Sequence, residues 1–323
     1  MADTPASQTS VFLTGASGGL GREVARRLIA AGYAVTGAVD GLASAQLFRQ
    51  VGGLPAYPDN LRAGEIRSAI QAAQATEVVH LTPQLANHIP HIDPQWDKFL
   101  PLIEDSTRAT VAAAEEAGVK FLVMVSYAFV YGNTGDQPAS EDTPPNHENA
   151  NHPVIRAALT AEQAVLNSSI PACVLRAGYV YGPHAAETVA VRDRLIAGDS
   201  VAAGDPGVLA NWIHQDDLAR AILLALQTKP AGKILNIVDN QPASAVDFIG
   251  YLAESMHLPA PSGGQSLLAR ILPARETITV GNLSVRASNQ RAREVLGWTP
   301  QFPTYREGLD NTLLVLRAEE PVI

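Results

Sequence analysis

Eight residues near the start of the chain combine types and spacing that suit phosphate chemistry: Thr14-Gly15-Ala16-Ser17-Gly18-Gly19-Leu20-Gly21. They follow the apolar run 11–15 and open a stretch of helical periodicity, so the glycines sit on a strand–turn–helix junction. At such a junction Gly15 permits a tight turn, and Gly18 lets the backbone approach a diphosphate. Gly21 lets the helix pack closely on the strand, and the amides of the helix N-terminus face the phosphates. The loop therefore reads as the cradle of a dinucleotide. The carboxylate that meets the ribose of such a ligand belongs near the end of the second strand, about 20 residues on. Asp40, in GAVDG, is the acid there; its plainer reading is a turn residue before Gly41. No Arg or Lys lies between Arg27 and Arg49 to meet a 2′-phosphate, so NAD is expected over NADP.

Other chemistries find less support. Cys173 is the only cysteine and sits in the apolar run ACVL, which suggests a buried structural thiol. No HExxH, paired Cys or carboxylate cluster of ligand spacing appears, so no metal is expected. The GxSxG frame of a serine nucleophile is missing too: Gly15-Ala16-Ser17-Gly18 falls one residue short of it.

The 323 residues carry Lys+Arg 23 against Asp+Glu 32, a net charge of −9. An acidic chain without a basic run is a poor binder of nucleic acid or of anionic membranes. Hydrophobic residues make up 46% and charged ones 17%, so a large core can be buried and disorder is excluded as the main state. At roughly 150 residues per domain the length allows two domains, or one α/β domain with a lobe attached. The start, MADTPASQTS, lacks the basic and apolar regions of a signal peptide, and no apolar run approaches the ~18 residues of a spanning helix. A cytoplasmic location is expected.

Positioning the glycine loop needs alternating strands and helices. Apolar runs at 11–15, 33–39, 53–57, 77–82, 121–126 and 172–177 read as strands. Helical periodicity falls at 22–31, 62–73, 96–117 and 154–167. The runs are continuously apolar, as in strands covered on both faces, so the pattern predicts a doubly wound parallel sheet of the Rossmann type. Residues 134–153 form a long polar loop, and loops of that length are commonly functional. Beyond 178, short Pro- and Gly-rich segments surround one clear helix at 217–227 and a strand at 233–238. The expected organisation is a dinucleotide-binding domain at 1–177, completed by about 211–240. Residues 178–210 and 241–323 would form a smaller substrate-binding lobe.

The spacing TGxxGxxG resembles the short-chain dehydrogenase/reductase superfamily, and later segments resemble its extended, epimerase/dehydratase branch. Asp59-Asn60-Leu61 looks like the acidic turn that contacts adenine, and Val78-Val79-His80-Leu81-Thr82 like the strand lining the cofactor. Val125 to Gly132 (VSYAFVYG) resembles the stretch that carries a catalytic Ser or Thr. Leu175 to Pro183 (LRAGYVYGP) resembles the segment whose backbone meets the nicotinamide amide. WIHQDDLA at 212–219 and LGWTP at 296–300 are similar to later family segments, so the likeness spans nearly the whole chain. It implies NAD contacts from Gly15, Ser17, Gly18, Gly19, Leu20, Gly21, Asp40, Asp59, Asn60, Leu81, Thr82, Pro83, Val125, Ala177 and Val180. It also implies a homodimer formed by the helices at 96–117 and 154–167.

The family's redox chemistry rests on a Tyr and a Lys four residues later, whose ammonium lowers the phenol pKa. The chain holds four lysines, Lys98, Lys120, Lys229 and Lys233, preceded at that spacing by Pro94, Glu116, Ala225 and Lys229. No YxxxK exists. Counting back from Glu162 in the resembling helix puts Val154 at the Tyr position and Ala158 at the Lys position. Ser126 and Tyr127 stand where the catalytic hydroxyl belongs, so they are the candidates for polarising the reacting oxygen; Tyr127 is otherwise an aromatic filler of vacated space. Arg156 points off the relay face. His147 and His152 in the preceding loop could reach over the site, whereas His80 and His214 read as structural. Arg270, Arg275 and Arg286 could meet an anionic substrate or be scattered surface cations. Three functions remain open: an NAD(P)-dependent oxidoreductase or epimerase/dehydratase-like enzyme on a small organic or sugar-like molecule with a modified relay, a non-catalytic dinucleotide-binding protein, or a lyase or hydrolase reusing the fold.

Overall fold

Strands that are apolar on both faces must be covered on both, and this chain covers them with two layers of helix. The computed structural model describes residues 9–83, 96–146, 148–199, 201, 204–259 and 282–319. Its first half runs β1 (Ser10–Leu13), α1 (Gly19–Ala30), β2 (Ala34–Ala38), α2 (Leu42–Gln50), β3 (Leu54–Ala56), α3 (Ala63–Ala72), β4 (Glu77–Leu81), α4 (Trp96–Ala117), β5 (Phe121–Tyr127), α5 (Pro153–Leu166) and β6 (Ala172–Ala177). The second half adds β7 (Tyr179–Tyr181), α6 (Ala186–Ile196), β8 (Leu209–Ala210), β9 (Trp212–His214), α7 (Gln215–Thr228), β10 (Ile234–Ile237), β11 (Ala243–Ser244), α8 (Ala245–Ser255), α9 (Gln290–Leu296) and α10 (Tyr305–Glu319).

Seven strands form one parallel sheet in the order β10-β6-β5-β4-β1-β2-β3. Every residue of β4, β5 and β6 is buried, as their unbroken apolar runs require. From β1 the chain winds outward to β2 and β3, and from β4 it winds the other way. The C-terminal ends of β1 and β4 therefore flank the crevice where the winding reverses, the usual ligand position in such sheets. Ile66, Ile103, Val154 and Ala158 pack on one face of the sheet, and Val24, Leu28, Phe48 and Ile222 on the other. A third core of Tyr181, Trp212, Phe248, Tyr305 and Leu309 lies beneath α6, α8 and α10.

Five helices depart from the sequence expectation. In α2 only Ala45 and Phe48 are buried and Leu42 is exposed, so its apolar stripe is too thin to read. Helix α6 buries Thr188, Val191 and Leu195, and α8 carries Gly250 inside a stripe otherwise secured by a capping box between Ser244 and Asp247. Helices α9 and α10 likewise lie in the half expected to be irregular. The long polar loop is docked: Ala139 pairs with Ala287, and the Thr134 amide donates to the Ser284 carbonyl at 3.0 Å.

Asp239, just past β10, is 2% exposed, and its Oδ2 has no hydrogen-bond partner. Burial pushes its carboxyl up to about 8, opposed by the Gln241 amide and reinforced by Glu307 and Asp217. The unfolded chain ionises this group near 4, so between about pH 4 and pH 8 folding holds a proton that unfolding releases, and stability falls as pH rises. Asp239→Asn should therefore raise the melting temperature at pH 8, by on the order of 1–2 kcal/mol of stability, with the gain shrinking toward pH 4. Thermal denaturation of both proteins across that range checks it.

Candidate functional site

The junction after β1 is shaped by contacts that exclude side chains. Gly15 adopts φ +70°, and a Cβ there would lie 3.0 Å from the Leu81 Cβ. A Cβ on Gly21 would stand 2.7 Å from the Ala16 Cα, so α1 seats on the turn only because that position is bare. Gly18 is different: its Cβ would meet nothing nearer than the Gly15 carbonyl oxygen at 3.8 Å. It is also the N-cap of α1 and offers no capping side chain, leaving the first-turn amides to a ligand. Gly19 is bare for a reason that the sequence did not disclose. A Cβ there would overlap the carbonyl oxygen of His184, because residues 183–186 cross directly over the loop.

A cavity of about 360 Å³ opens above this junction. Gly15, Ser17, Gly18, Gly19, Leu20 and Gly21 line its floor. Asp40 and Asn60 close one end, and Leu81, Thr82, Pro83 and Val180 the other. The Asp40 carboxylate accepts from Ser44 Oγ at 2.6 Å and Ser17 Oγ at 2.8 Å, and these bonds hold it below the usual carboxylate range. It stays ionised at the rim. Asp59 does not line the cavity; it accepts from the Leu61 amide at 2.9 Å and pairs with Arg62, shaping the turn that presents Asn60. Val125 acts through its carbonyl, which accepts from Thr82 Oγ1 at 2.7 Å. Ala177 is paired with Tyr127 across β5 and β6 and borders a separate narrow crevice.

Sequence reasoning missed Leu102, Ser106 and Thr110 of α4 and Ala185, Ala186 and Glu187 at the start of α6. The α4 trio recurs every four residues, a readable spacing, yet nothing in it marks the face as ligand-bearing rather than core. Thr110 Oγ1 is buried without a partner. An orphaned hydroxyl, an open glycine cradle and an ionised rim carboxylate together fit a polar, phosphate-bearing ligand with ribose hydroxyls.

The two candidate catalytic residues lie behind this wall. Ser126 is fully buried and donates to Glu162 Oε1 at 2.6 Å, so its hydroxyl faces α5, not the cavity. Glu162 in turn pairs with Arg176 at 2.7 Å, and the Arg176 guanidinium lies 4.9 Å from the Tyr131 ring centroid. Tyr127 donates its hydroxyl to the Pro83 carbonyl at 2.6 Å, and burial pushes its pKa above the ordinary phenol value despite a bond with Thr82. Val154, Ala158 and Glu162, spaced by four, are all buried, and through Glu162 this face of α5 meets β5.

Three of the described histidines, His80, His152 and His214, have structural roles. His152 is the N-cap of α5, accepting from the Val154 amide at 3.3 Å, so it does not reach over the site. His214 caps α7 in the same way. His80, neutral because burial pulls its pKa down to about 4, bridges Thr14 at 2.8 Å and Thr107 at 2.9 Å. His147, Arg270 and Arg275 lie outside the described residues. Arg286 pairs with Asp136 at 3.0 Å, Arg156 is exposed on α5, and burial pushes the Cys173 thiol up to about 12.

A reversal of strand order with a glycine loop in its crevice defines a Rossmann-type α/β protein. The chain belongs to the NAD dependent epimerase/dehydratase family, whose model matches residues 11–238. Among its relatives is a 3-diazoavenalumate denitrifying reductase from a Streptomyces species, 30% identical over 93% of this chain and 98% of that protein. A 4-hydroxy-2-methyl-3-oxo-4-farnesyl-3,4-dihydroquinoline-1-oxide ketoreductase from Stigmatella aurantiaca is 25% identical over 93% of this chain and 94% of its own. The crystal structure of a UDP-glucose 4-epimerase from Thermotoga maritima superposes with a TM-score of 0.77 at 20% identity, covering 96% of this chain and 99% of that one.

The contrast between two glycines gives a test. Gly18→Ala should leave the melting temperature nearly unchanged while weakening dinucleotide binding at least ~10-fold, because its methyl group enters only the cradle. Gly21→Ala should lower the melting temperature, because its methyl group collides with backbone. Calorimetric titration and thermal melts of both variants check the pair; equal effects on both readouts would refute the assignment of the cradle.

Proposed function

We propose that this protein is an NAD-dependent reductase of a small organic molecule, working without the usual Tyr–Lys relay. The observation that carries the reading is the cavity, whose bare glycine floor, orphaned Thr110 hydroxyl and ionised Asp40 suit a dinucleotide. Two relatives named as reductases, one of them 30% identical, support reduction, while two others, 26% and 28% identical, are named as UDP-glucose 4-epimerases. Asp40 would accept the hydroxyls of the adenosine ribose and repel a 2′-phosphate, favouring NAD over NADP. The amides at the start of α1 would meet the diphosphate, and Thr82, Pro83 and Val180 would hold the far end. When bound in its reduced form, the nicotinamide supplies hydride.

The remaining roles belong to Tyr127 and Ser126. Tyr127 keeps its proton, since burial raises its pKa and, among the described residues, no ammonium stands beside it to lower it. It acts as a positioning residue, fixing the Pro83 carbonyl and Thr82 at the cavity wall. Ser126 anchors Glu162 and so holds α5 against β5. A homodimer through α4 and α5 is part of this proposal, as is a cytoplasmic location; a monomeric mass in solution would overturn the first. Among the described residues, no helix is long and apolar enough to cross a membrane.

Titration of NADH and NADPH by fluorescence tests the reading, with tighter binding expected for NADH; no binding of either overturns it. Asp40→Arg should invert the preference, weakening NADH and strengthening NADPH by at least ~10-fold. Tyr127→Phe should lower kcat by less than ~10-fold and keep the shape of the pH profile. A general acid in that position would instead cost ~10²–10⁴-fold and remove a limb of the profile.

A further inference from the structure

Strand β7 divides two spaces. Its side chains alternate, so Val180 faces the cavity above the glycine loop while Tyr179 borders a separate narrow slot. Tyr127, Phe129, Asn211 and Val285 complete most of the slot's wall. Its volume is about 10 Å³, room for a single oxygen atom or one water. Among the described residues bordering it, none is charged. The side chains are rings, small aliphatic groups and one amide, that of Asn211.

That amide is held in one orientation with its donor end unused. The backbone at Asn211 is pinned, since its carbonyl accepts from the Tyr179 amide at 2.7 Å. Gly178 is bare beside this contact; a Cβ there would lie 2.9 Å from the same oxygen. The Ala287 amide donates to Asn211 Oδ1 at 2.9 Å, and only the oxygen can accept from an N–H, so the nitrogen end is turned away from Ala287. Asn211 is 3% exposed, and its Nδ2 is buried without a hydrogen-bond partner. A donor buried without an acceptor costs stability, and native structures rarely keep one. A trapped water is a poor answer, because it needs about two to four polar partners and this wall is mostly ring and aliphatic carbon.

Charge and shape limit what the acceptor can be. A carboxylate or phosphate would leave water for a wall without a cation, at a large desolvation cost. A neutral carbonyl oxygen meets the donor without that cost, and a planar ring carrying it suits aromatic neighbours. The Tyr127 hydroxyl is already given to the Pro83 carbonyl, and Pro83 lines the cavity. The slot therefore lies one side chain away from the end of the cavity assigned to the nicotinamide.

Deepening the reading of the protein as a reductase of a small organic molecule, and resting on it, we propose that the slot anchors an uncharged aromatic substrate through a carbonyl oxygen that accepts from Asn211 Nδ2. Asn211 is thereby a specificity-determining residue. It admits aryl ketones and amides and excludes the corresponding acids.

Calorimetric titration with indanone and with indane, which differ by the carbonyl, tests this on the protein with and without NAD. The ketone should bind at least ~10-fold more tightly, and benzamide should exceed benzoate. Asn211→Asp keeps an acceptor for the Ala287 amide and removes the donor, so it should erase the preference for the ketone. Asn211→Leu, similar in size and uncharged, should erase it too, which separates the missing donor from the added charge. Melting temperature and NAD titration serve as controls of integrity. In the unaltered protein, the side-chain amide resonance of Asn211 should shift with indanone and stay in place with indane. Equal affinity for the two rings overturns the inference, as does an undiminished preference in Asn211→Asp, a resonance unmoved by the ketone, or benzoate binding as tightly as benzamide. Failure to bind NAD or NADH is a separate result: it removes the reading as a reductase, while indanone binding still decides the role of the slot.

Discussion

Everything at the crevice depends on how closely α1 approaches the turn after β1. The turn bends through Gly15, whose bare Cα faces Leu81 of β4, and Gly21 rests against the Ala16 backbone. A methyl group at Gly21 would push the helix outward by its own width, and the first-turn amides would leave the crevice with it. The close seat also brings Leu20 and Val24 into the core that lines one face of the sheet. The seat of α1 and the position of the ligand cradle are therefore set together by two missing side chains.

The opposite half of the site is held by polar groups in a dry interior. Ser126, Glu162 and Arg176 tie β5, α5 and β6 together, and Tyr131 extends the set to Asn236 of β10 at 2.8 Å. Removing one member of such a buried pair leaves an uncompensated charge, a loss of about 3–5 kcal/mol. The Asn236 amide also donates to Glu141 at 2.8 Å, which ties the long polar loop to the sheet. A network of this kind leaves no slack at the C-terminal ends of β5 and β6, where the cavity wall needs to be rigid.

How much of this was legible in the sequence follows from the kind of signal each part leaves. Long apolar runs announce buried strands, so all seven strands of the sheet were placed within a few residues. The glycine spacing announced the loop, and Asp40, singled out by its distance along the chain, lines the cavity. Helices α2 and α6 left little trace because their buried stripes are short and partly polar. Side-chain direction was the other blind spot: Ser126 and Tyr127 are adjacent in sequence, and only the fold turns one to Glu162 and the other to Pro83. Loop histidines looked available for chemistry, yet His152 is consumed by the end of a helix. Glu187 carried no motif at all; the fold alone brings it to the cavity.

The crossing of residues 183–186 over Gly19 bears on how such fingerprints are interpreted across sequences. A glycine at position 19 is demanded by a segment more than 160 residues away, and the His184 ring fastens that segment to Glu319 of α10 at 3.1 Å. The two sites cannot drift independently: a larger residue at 19 is tolerable only if the crossing segment is rerouted. Substitutions here are therefore epistatic. A count of glycines in the loop mixes one position that opens on the cavity with another governed by the chain's own traffic.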